Sequence, residues 1–251
     1  VVEDWREETT SRFSKVAFPG GHYFIVPERS AILGHIGEEL LLRLAAKEQD
    51  LAGGTSGERW IARPAPKRTP RLRLFCFPGV GQSSADYASF AGVIGDDVEV
   101  CVIETPGHGS RRSELPLGRA AEIGAYAARA VLPFTDRPFA FFGHDLGALA
   151  MFECVRRLRL EVAPLPIHLF ASAAIAPDVH YFSPIHHLPS ERFRVELKKL
   201  GIDSTLPERT LRADCAALSS YSYARELALE VPLTAIAAER DGFVPLTGVR
   251  G

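Results

Sequence analysis

Short apolar runs alternating with helical patterns constrain the fold of this 251-residue chain more than any other feature. The runs are "RLRLFCF" (71 to 77), "VEVCVIE" (98 to 104), "FAFFG" (139 to 143), "IHLFAS" (167 to 172) and "LTAIAAE" (233 to 239), all rich in β-forming residues. Between them lie amphipathic stretches such as "GRAAEIGAYAARAVL" (118 to 132) and "LGALAMFECVRRLRL" (146 to 160). In the first, Ile123, Tyr126, Ala127, Ala130 and Val131 keep helical spacing on one face. Strand and helix in alternation predict an α/β fold, a mostly parallel sheet with helices on both faces. The length and the 46% apolar content suit a single large domain over 1–251.

From about 178 to 229 the strand signal stops and helical patterns replace it, "LPSERFRVELKKLGI" and "LPERTLRADCAALSSYSYA". An excursion that long between two strands predicts an inserted helical lid over 178–229. The stretch "LAGGTSGERWIARPAPKRTPR" (51 to 71) reads as a connector with a short edge strand around Trp60 and Ile61.

With 29 basic and 31 acidic residues the chain has no global electrostatic footprint for nucleic acid. Cys76, Cys101, Cys154 and Cys215 are widely spaced and without metal-ligand neighbours, which favours buried reduced thiols and no metal. No apolar run approaches the roughly 20 residues that span a bilayer. The polar, acidic start "VVEDWREETT" is unlike a signal peptide, so the expectation is a soluble cytoplasmic protein with no membrane partner.

The stretch "FAFFGHDLGALAMFE" (139 to 153) has the frame of a nucleophile elbow, G-x-S-x-G, in which a strand turns sharply into a helix and presents one side chain at the sheet edge. Its central residue is Asp145 instead of serine. Alone, "GHDLG" most often marks a helix N-terminus with an acid near the positive dipole end. Six further stretches accompany it: "FPGGHYFI" (18 to 25), "ERWIARP" (58 to 64), "LFCFPGVGQSSADYASFA" (74 to 91), "VIETPGHGSRRSE" (102 to 114), "LRADCAALSSYSY" (211 to 223) and "VPLTAIAAERDGFVP" (231 to 245). Together these motifs cover most of the chain and resemble the type II thioesterases of polyketide and nonribosomal peptide assembly lines, enzymes of antibiotic biosynthesis.

The resemblance implies an α/β-hydrolase fold, no cofactor, and an acyl carrier protein or peptidyl carrier protein as partner, presenting its acyl group on phosphopantetheine. It also exposes a disorder in the sequence. The triad of an α/β-hydrolase runs nucleophile, acid, histidine along the chain, whereas here the histidine of "PGGHYF", His22, precedes everything. Reading from Gly251 back into Val1 restores the order, as in a circularly permuted hydrolase. On that reading 1–50 is the family C-terminal part, including the helix "GEELLLRLAAKEQDLA" (37 to 52). Residues 51–57 are then a linker, and 58–251 the family N-terminal and central part. New ends would fall in an exposed loop after the acid strand.

By the same resemblance Asp145 tops the elbow, His22 lies between it and Asp241, and the backbone N–H groups of Leu146 and Val80 form the oxyanion hole. Asp241 would fix the tautomer of His22. Asp145 needs no activation, since a carboxylate with reference pKa about 3.9 is ionised at neutral pH. Its attack on a thioester, however, yields an adduct that can expel a thiolate (about 8.5) or the carboxylate again, a bias towards reactants of up to about 6 kcal/mol. General-base catalysis by Asp145 or His22 on water is the better route.

Other readings stay open. Carboxylate nucleophiles suit attack on saturated carbon, and "GHD" before a residue and glycine is similar to the elbow of epoxide hydrolases and some dehalogenases, although no Trp or Tyr lid donor can be matched. Base-assisted cyclisation or release of a polyketide and a catalytically silent carrier-binding module are further alternatives. His144 is expected to be a packed elbow residue, His108 to belong to a turn, and His186 and His187, which lack partners at metal-ligand spacing, to face solvent in the lid. Met151 and Phe152 are expected in the core. Arg111, Arg112, Arg156, Arg157, Arg192, Lys198 and Lys199 are candidates for a basic carrier-docking surface, although dispersed surface charge is the simpler account of each.

Overall fold

The computed structural model describes residues 2–47, 59–179, 184–241 and 244, with the backbone alone for 41–47. The expected linker 51–57 lies outside the described residues, as does a short part of the lid at 180–183. Seven strands form one sheet: β1 (Phe13–Phe18), β2 (Ile61–Ala62), β3 (Leu72–Phe77), β4 (Val98–Ile103), β5 (Phe139–His144), β6 (Leu169–Ser172) and β7 (Leu233–Ala238). Their spatial order is β1-β7-β6-β5-β3-β4-β2. Every pairing is parallel except that of β2 with β4. The expected α/β-hydrolase architecture is therefore present, with the edge strand anticipated at Ile61.

The parallel strands β3, β4, β5 and β7 are buried along their whole length, so they read as continuous apolar runs. Their side chains still alternate between two cores. Leu72, Leu74 and Cys76 join Ile32, Ile36 and Leu40 of helix α1 (Arg29–Lys47) and Phe90 of the short helix α2 (Phe90–Val93). Phe75 and Phe77 face the opposite core with Ala127 and Val131 of α3 (Ala120–Val131) and Ala148, Met151 and Phe152 of α4 (Leu146–Leu160). All four cysteines are buried and free. Burial raises the thiol pKa of each, that of Cys101 to about 12, so they behave as small apolar side chains.

Between β6 and β7, within 178–229, the chain forms α5 (Ser190–Lys199) and α6 (Glu208–Ser219). Phe193 and Leu197 of α5 and Leu211, Cys215 and Leu218 of α6 turn inward onto the α4 side. The N-terminal strand β1 lies at the far edge, in register with β7 from Phe13 opposite Leu233 to Phe18 opposite Ala238. This pairing carries the start of the chain to the end of the strand that leads into Asp241. Among the described residues no helix is long and apolar enough to cross a membrane.

Candidate active site

The elbow is built by steric necessity. Asp145 sits between β5 and α4 with φ 53° and ψ −121°, a left-handed conformation that costs a non-glycine residue about 1–3 kcal/mol. A Cβ on Gly147 would lie 2.0 Å from the Phe77 carbonyl oxygen, and one on Gly143 would lie 2.6 Å from the Ala148 Cα. Both glycines of G-x-D-x-G are thus required for β3, β5 and α4 to approach, and the strained turn lifts the Asp145 side chain above the sheet. The Asp145 N–H donates to the Ser172 carbonyl (2.9 Å), tying the turn to β6.

His22 reaches this point from the opposite end of the chain. After β1 the Glu239 N–H donates to the Phe18 carbonyl (2.8 Å) and the Arg240 N–H to the Gly20 carbonyl (3.0 Å), so the two loops run side by side. Gly20, at φ 119°, makes the bend. His22 Nδ1 then lies 3.0 Å from Asp241 Oδ2, and its Nε2 lies 3.9 Å from Asp145 Oδ1. The Val244 N–H donates to Asp241 Oδ1 (3.0 Å). The three expected side chains are therefore brought together, with the imidazole between two carboxylates.

The two backbone donors also converge, but on Asp145 itself. The Val80 N–H donates to Asp145 Oδ2 (3.2 Å), and the Leu146 N–H is directed at the same carboxylate. Burial raises the Asp145 pKa above the ordinary carboxylate value, and the charge of Asp214 adds to this. The His22 charge and these two N–H groups pull the other way without reversing it. For His22 burial lowers the pKa, but the hydrogen bond to Asp241 and the charges of Asp145 and Asp241 prevail and raise it. One carboxylate oxygen is thus pinned by backbone donors while the other faces an imidazole inclined to hold its proton.

His144 is packed at the elbow as expected, its Nδ1 3.2 Å from Ser172 Oγ. Complete burial and the His22 charge lower its pKa to about 3, so it stays neutral. His108 does lie in a turn, but it is buried: its Nδ1 lies 2.8 Å from Thr105 Oγ1 and its Nε2 3.1 Å from Asp214 Oδ2. The same Asp214 oxygen accepts the Gly81 N–H (3.0 Å). Asp214 therefore fastens α6 to the loop that carries Val80. It is only 2% exposed, and sequence reasoning did not single it out.

His186, expected to face solvent, is partly buried, with its Nδ1 3.1 Å from Ser219 Oγ, because the short turn before α5 packs against the end of α6. Arg156 is buried and engaged with Glu153 (2.7 Å) and Glu226 (2.5 Å), so it offers no free surface charge. Arg111, Arg157 and Lys199 are likewise ion-paired, to Glu114, Glu161 and Glu196. A cavity of about 470 Å³ lies between α5 and α6, lined by Phe193, Leu197, Ile202 and Leu211, with Arg194 and Lys198 among its walls. It borders the Gly81 turn and not Asp145, since Ile202, Ser204 and Leu211 are the groups packed against Gly81. Among the described residues no group of His, Cys, Asp and Glu could hold a metal ion.

A family profile describing the thioesterase domain matches residues 72–243, more than half of the chain. The chain belongs to the thioesterase family. It is similar to the gramicidin S biosynthesis protein GrsT of Aneurinibacillus migulanus, 32% identical over 199 residues that cover 74% of this chain and 77% of that protein. It is also similar to the thioesterase PikA5 of Streptomyces venezuelae, 30% identical over 76% of this chain and 72% of the relative. Among solved structures, the type II thioesterase BorB from the borrelidin biosynthetic cluster superposes with a TM-score of 0.68 at 27% identity. That match covers 76% of this chain and 80% of BorB. RedJ from the prodiginine pathway of Streptomyces coelicolor gives 0.66 at 29% identity, over 80% of this chain and 83% of its own. As a thioesterase-family α/β-hydrolase the chain is an enzyme that acts on thioesters, and its elbow carries Asp145 at the strand-to-helix turn.

Proposed function

We propose that this thioesterase-family protein hydrolyses acyl thioesters carried on the phosphopantetheine of an acyl or peptidyl carrier protein, with Asp145 as general base towards water. The observation that carries this reading is the 3.9 Å separation of Asp145 Oδ1 and His22 Nε2. It is too long for a direct hydrogen bond and suits one bridging water. Asp145 takes a proton from that water as its oxygen adds to the thioester carbonyl carbon. The tetrahedral adduct collapses by breaking the C–S bond, and the imidazolium of His22 gives its Nε2 proton to the departing sulfur. The proton on Asp145 then returns to His22, leaving a carboxylic acid and a free thiol. The raised pKa of His22, held by Asp241, suits the acid role.

A covalent acyl-Asp145 is the poorer path, because the adduct would return to reactants by up to about 6 kcal/mol in preference to expelling thiolate. The biosynthetic settings of GrsT, BorB and RedJ support a carrier-bound substrate. Lys198 beside the 470 Å³ cavity supplies positive charge of the kind a pantetheine phosphate would meet, whereas Arg194 there is paired with Glu208 (3.2 Å).

The segment order supports a circular permutation: 1–50 supplies the strand that completes the sheet edge and the histidine that meets Asp241.

One observation favours a second reading. Val80 and Leu146 donate to Asp145 itself, as they would to the carbonyl oxygen of an aspartyl ester, which supports nucleophilic attack by Asp145 Oδ1 on a saturated carbon, as in epoxide opening. Hydrolysis of an acyl N-acetylcysteamine thioester separates the two. The water route requires turnover in the native protein and its loss in Asp145→Ala and His22→Ala. Equal activity in all three would remove Asp145 and His22 from the chemistry, and turnover of an epoxide alone would favour the second reading.

A further inference from the structure

We infer that the Tyr23 hydroxyl is a hydrogen-bond donor to the substrate, one that binds the thioester carbonyl oxygen as it becomes an oxyanion. Tyr23 directly follows His22, and its ring stands edge-on to the imidazole with centroids 5.0 Å apart. The other side of the ring meets the lid: a Cβ on Gly201, just after α5, would lie 3.0 Å from Tyr23 Cδ2. The phenol oxygen is buried and has no hydrogen-bond partner among the described residues. A buried hydroxyl without a partner is costly, so its retention at a site calls for a reason.

The surroundings point to one. Burial, and then the charges of Asp145, Cys215, Asp214 and Asp241, raise the phenol pKa, so the group lies within the field of the elbow and the lid helix α6 and keeps its proton. It is therefore a donor at any working pH.

The need for such a donor follows from the elbow. In a serine hydrolase the backbone donors are free for the substrate oxygen. Here the Val80 and Leu146 N–H groups are directed at the Asp145 carboxylate, which competes for them as an anion. An oxyanion formed beside that carboxylate needs a donor from another side, and Tyr23 offers the hydroxyl that no described residue uses. This assignment rests on the hydrolytic reading of Asp145 proposed above.

The test is Tyr23→Phe, which keeps the ring and removes only the hydroxyl. Hydrolysis of hexanoyl N-acetylcysteamine is measured beside Asp145→Ala, together with urea unfolding of both variants. The expected result is a fall in kcat of about 10²–10³-fold with KM little changed. The unfolding midpoint should be equal to or above the native one, because a purely structural hydroxyl could not lower kcat while its loss left stability intact. Native kcat in Tyr23→Phe with Asp145→Ala inactive overturns the role of Tyr23 and leaves the hydrolytic reading standing. Native kcat in Asp145→Ala overturns both.

Should Tyr23→Phe fold poorly, the native protein labelled with 3-fluorotyrosine provides a second readout. Addition of a hexyl trifluoromethyl ketone, which forms a tetrahedral adduct with water, should shift one tyrosine fluorine resonance. No shift at saturating ketone overturns the inference.

Discussion

Replacing Asp214 by alanine should loosen α6 and the Val80 loop together. Asp214 Oδ2 accepts the Gly81 N–H at 3.0 Å and His108 Nε2 at 3.1 Å, and no more than 2% of the residue is exposed. Hydrogen bonds to charged groups contribute about 1.5–3 kcal/mol each, so losing both should cost about 3–6 kcal/mol. That is a large fraction of the roughly 5–15 kcal/mol that holds a domain together. Asp214→Asn separates the components, since its amide oxygen can still accept both donors while the charge is gone, and it should cost about half as much. Burial lowers the His108 pKa, but the charge and hydrogen bond of Asp214 outweigh it and raise the value in the folded chain. The stability from this pair is therefore complete below the unfolded-state pKa of about 6.5 and lost as pH climbs through the raised folded value. Urea unfolding at a series of pH values from 5.5 to about 9 reads this directly. The native protein should lose stability across the upper part of the range, and Asp214→Asn should flatten that slope. A loss below about 1 kcal/mol in Asp214→Ala, or an unchanged slope in Asp214→Asn, would refute the reasoning.

The pH profile of kcat/KM should be a bell, rising as Asp145 ionises and falling as His22 loses its proton, with both limbs above the ordinary values of about 3.9 and 6.5. Asp241→Asn removes a charge that raises His22 and should move the basic limb down; a stationary limb in a pH–rate series would count against the acid role of His22. Asp145→Ser should switch the chemistry to an acyl-enzyme, seen as a mass increase of one acyl group after acid quenching, whereas the native protein should show none. Gly147→Ala would put a methyl against the Phe77 carbonyl, 2.0 Å from its oxygen, and should cost about 3 kcal/mol or more by calorimetry; a native-like melting temperature would contradict the packing described here. Moving residues 1–50 to follow Gly251 should give a chain of equal unfolding midpoint and activity, and an insoluble product would argue against the permuted reading.

The central strands were legible because parallel strands buried on both faces leave unbroken apolar runs, and β3, β4, β5 and β7 fall where those runs lie. The edge strand β1 was not, because only Phe18 of its six residues is buried and "FSKVAF" carries the weak pattern of a half-solvated edge. Helix α1 begins at Arg29, well before the expected 37, since Gly34 and Gly37 weaken a local helical reading. Ile32, Leu33 and Ile36, buried against the sheet, stabilise it through tertiary contacts. Asp145, His22 and Asp241 could be named from motif residues. Asp214 and Tyr23 could not, since a carboxylate on the inner face of a lid helix and a tyrosine after a histidine have no periodic or motif signature. Their importance comes from what faces them across the fold, Gly81 and His108 in one case and the elbow and Gly201 in the other.

In the proposed reaction water attacks the thioester directly with Asp145 as base. A single turnover in water enriched in heavy oxygen, with excess enzyme over acyl N-acetylcysteamine, followed by digestion and mass analysis, tests it most directly. The heavy oxygen should appear in the released acid, while the peptide containing Asp145 keeps its natural mass. Heavy oxygen in the Asp145 carboxylate would mean that water had attacked the aspartyl carbonyl of an acyl-aspartyl anhydride, and would contradict direct attack on the thioester.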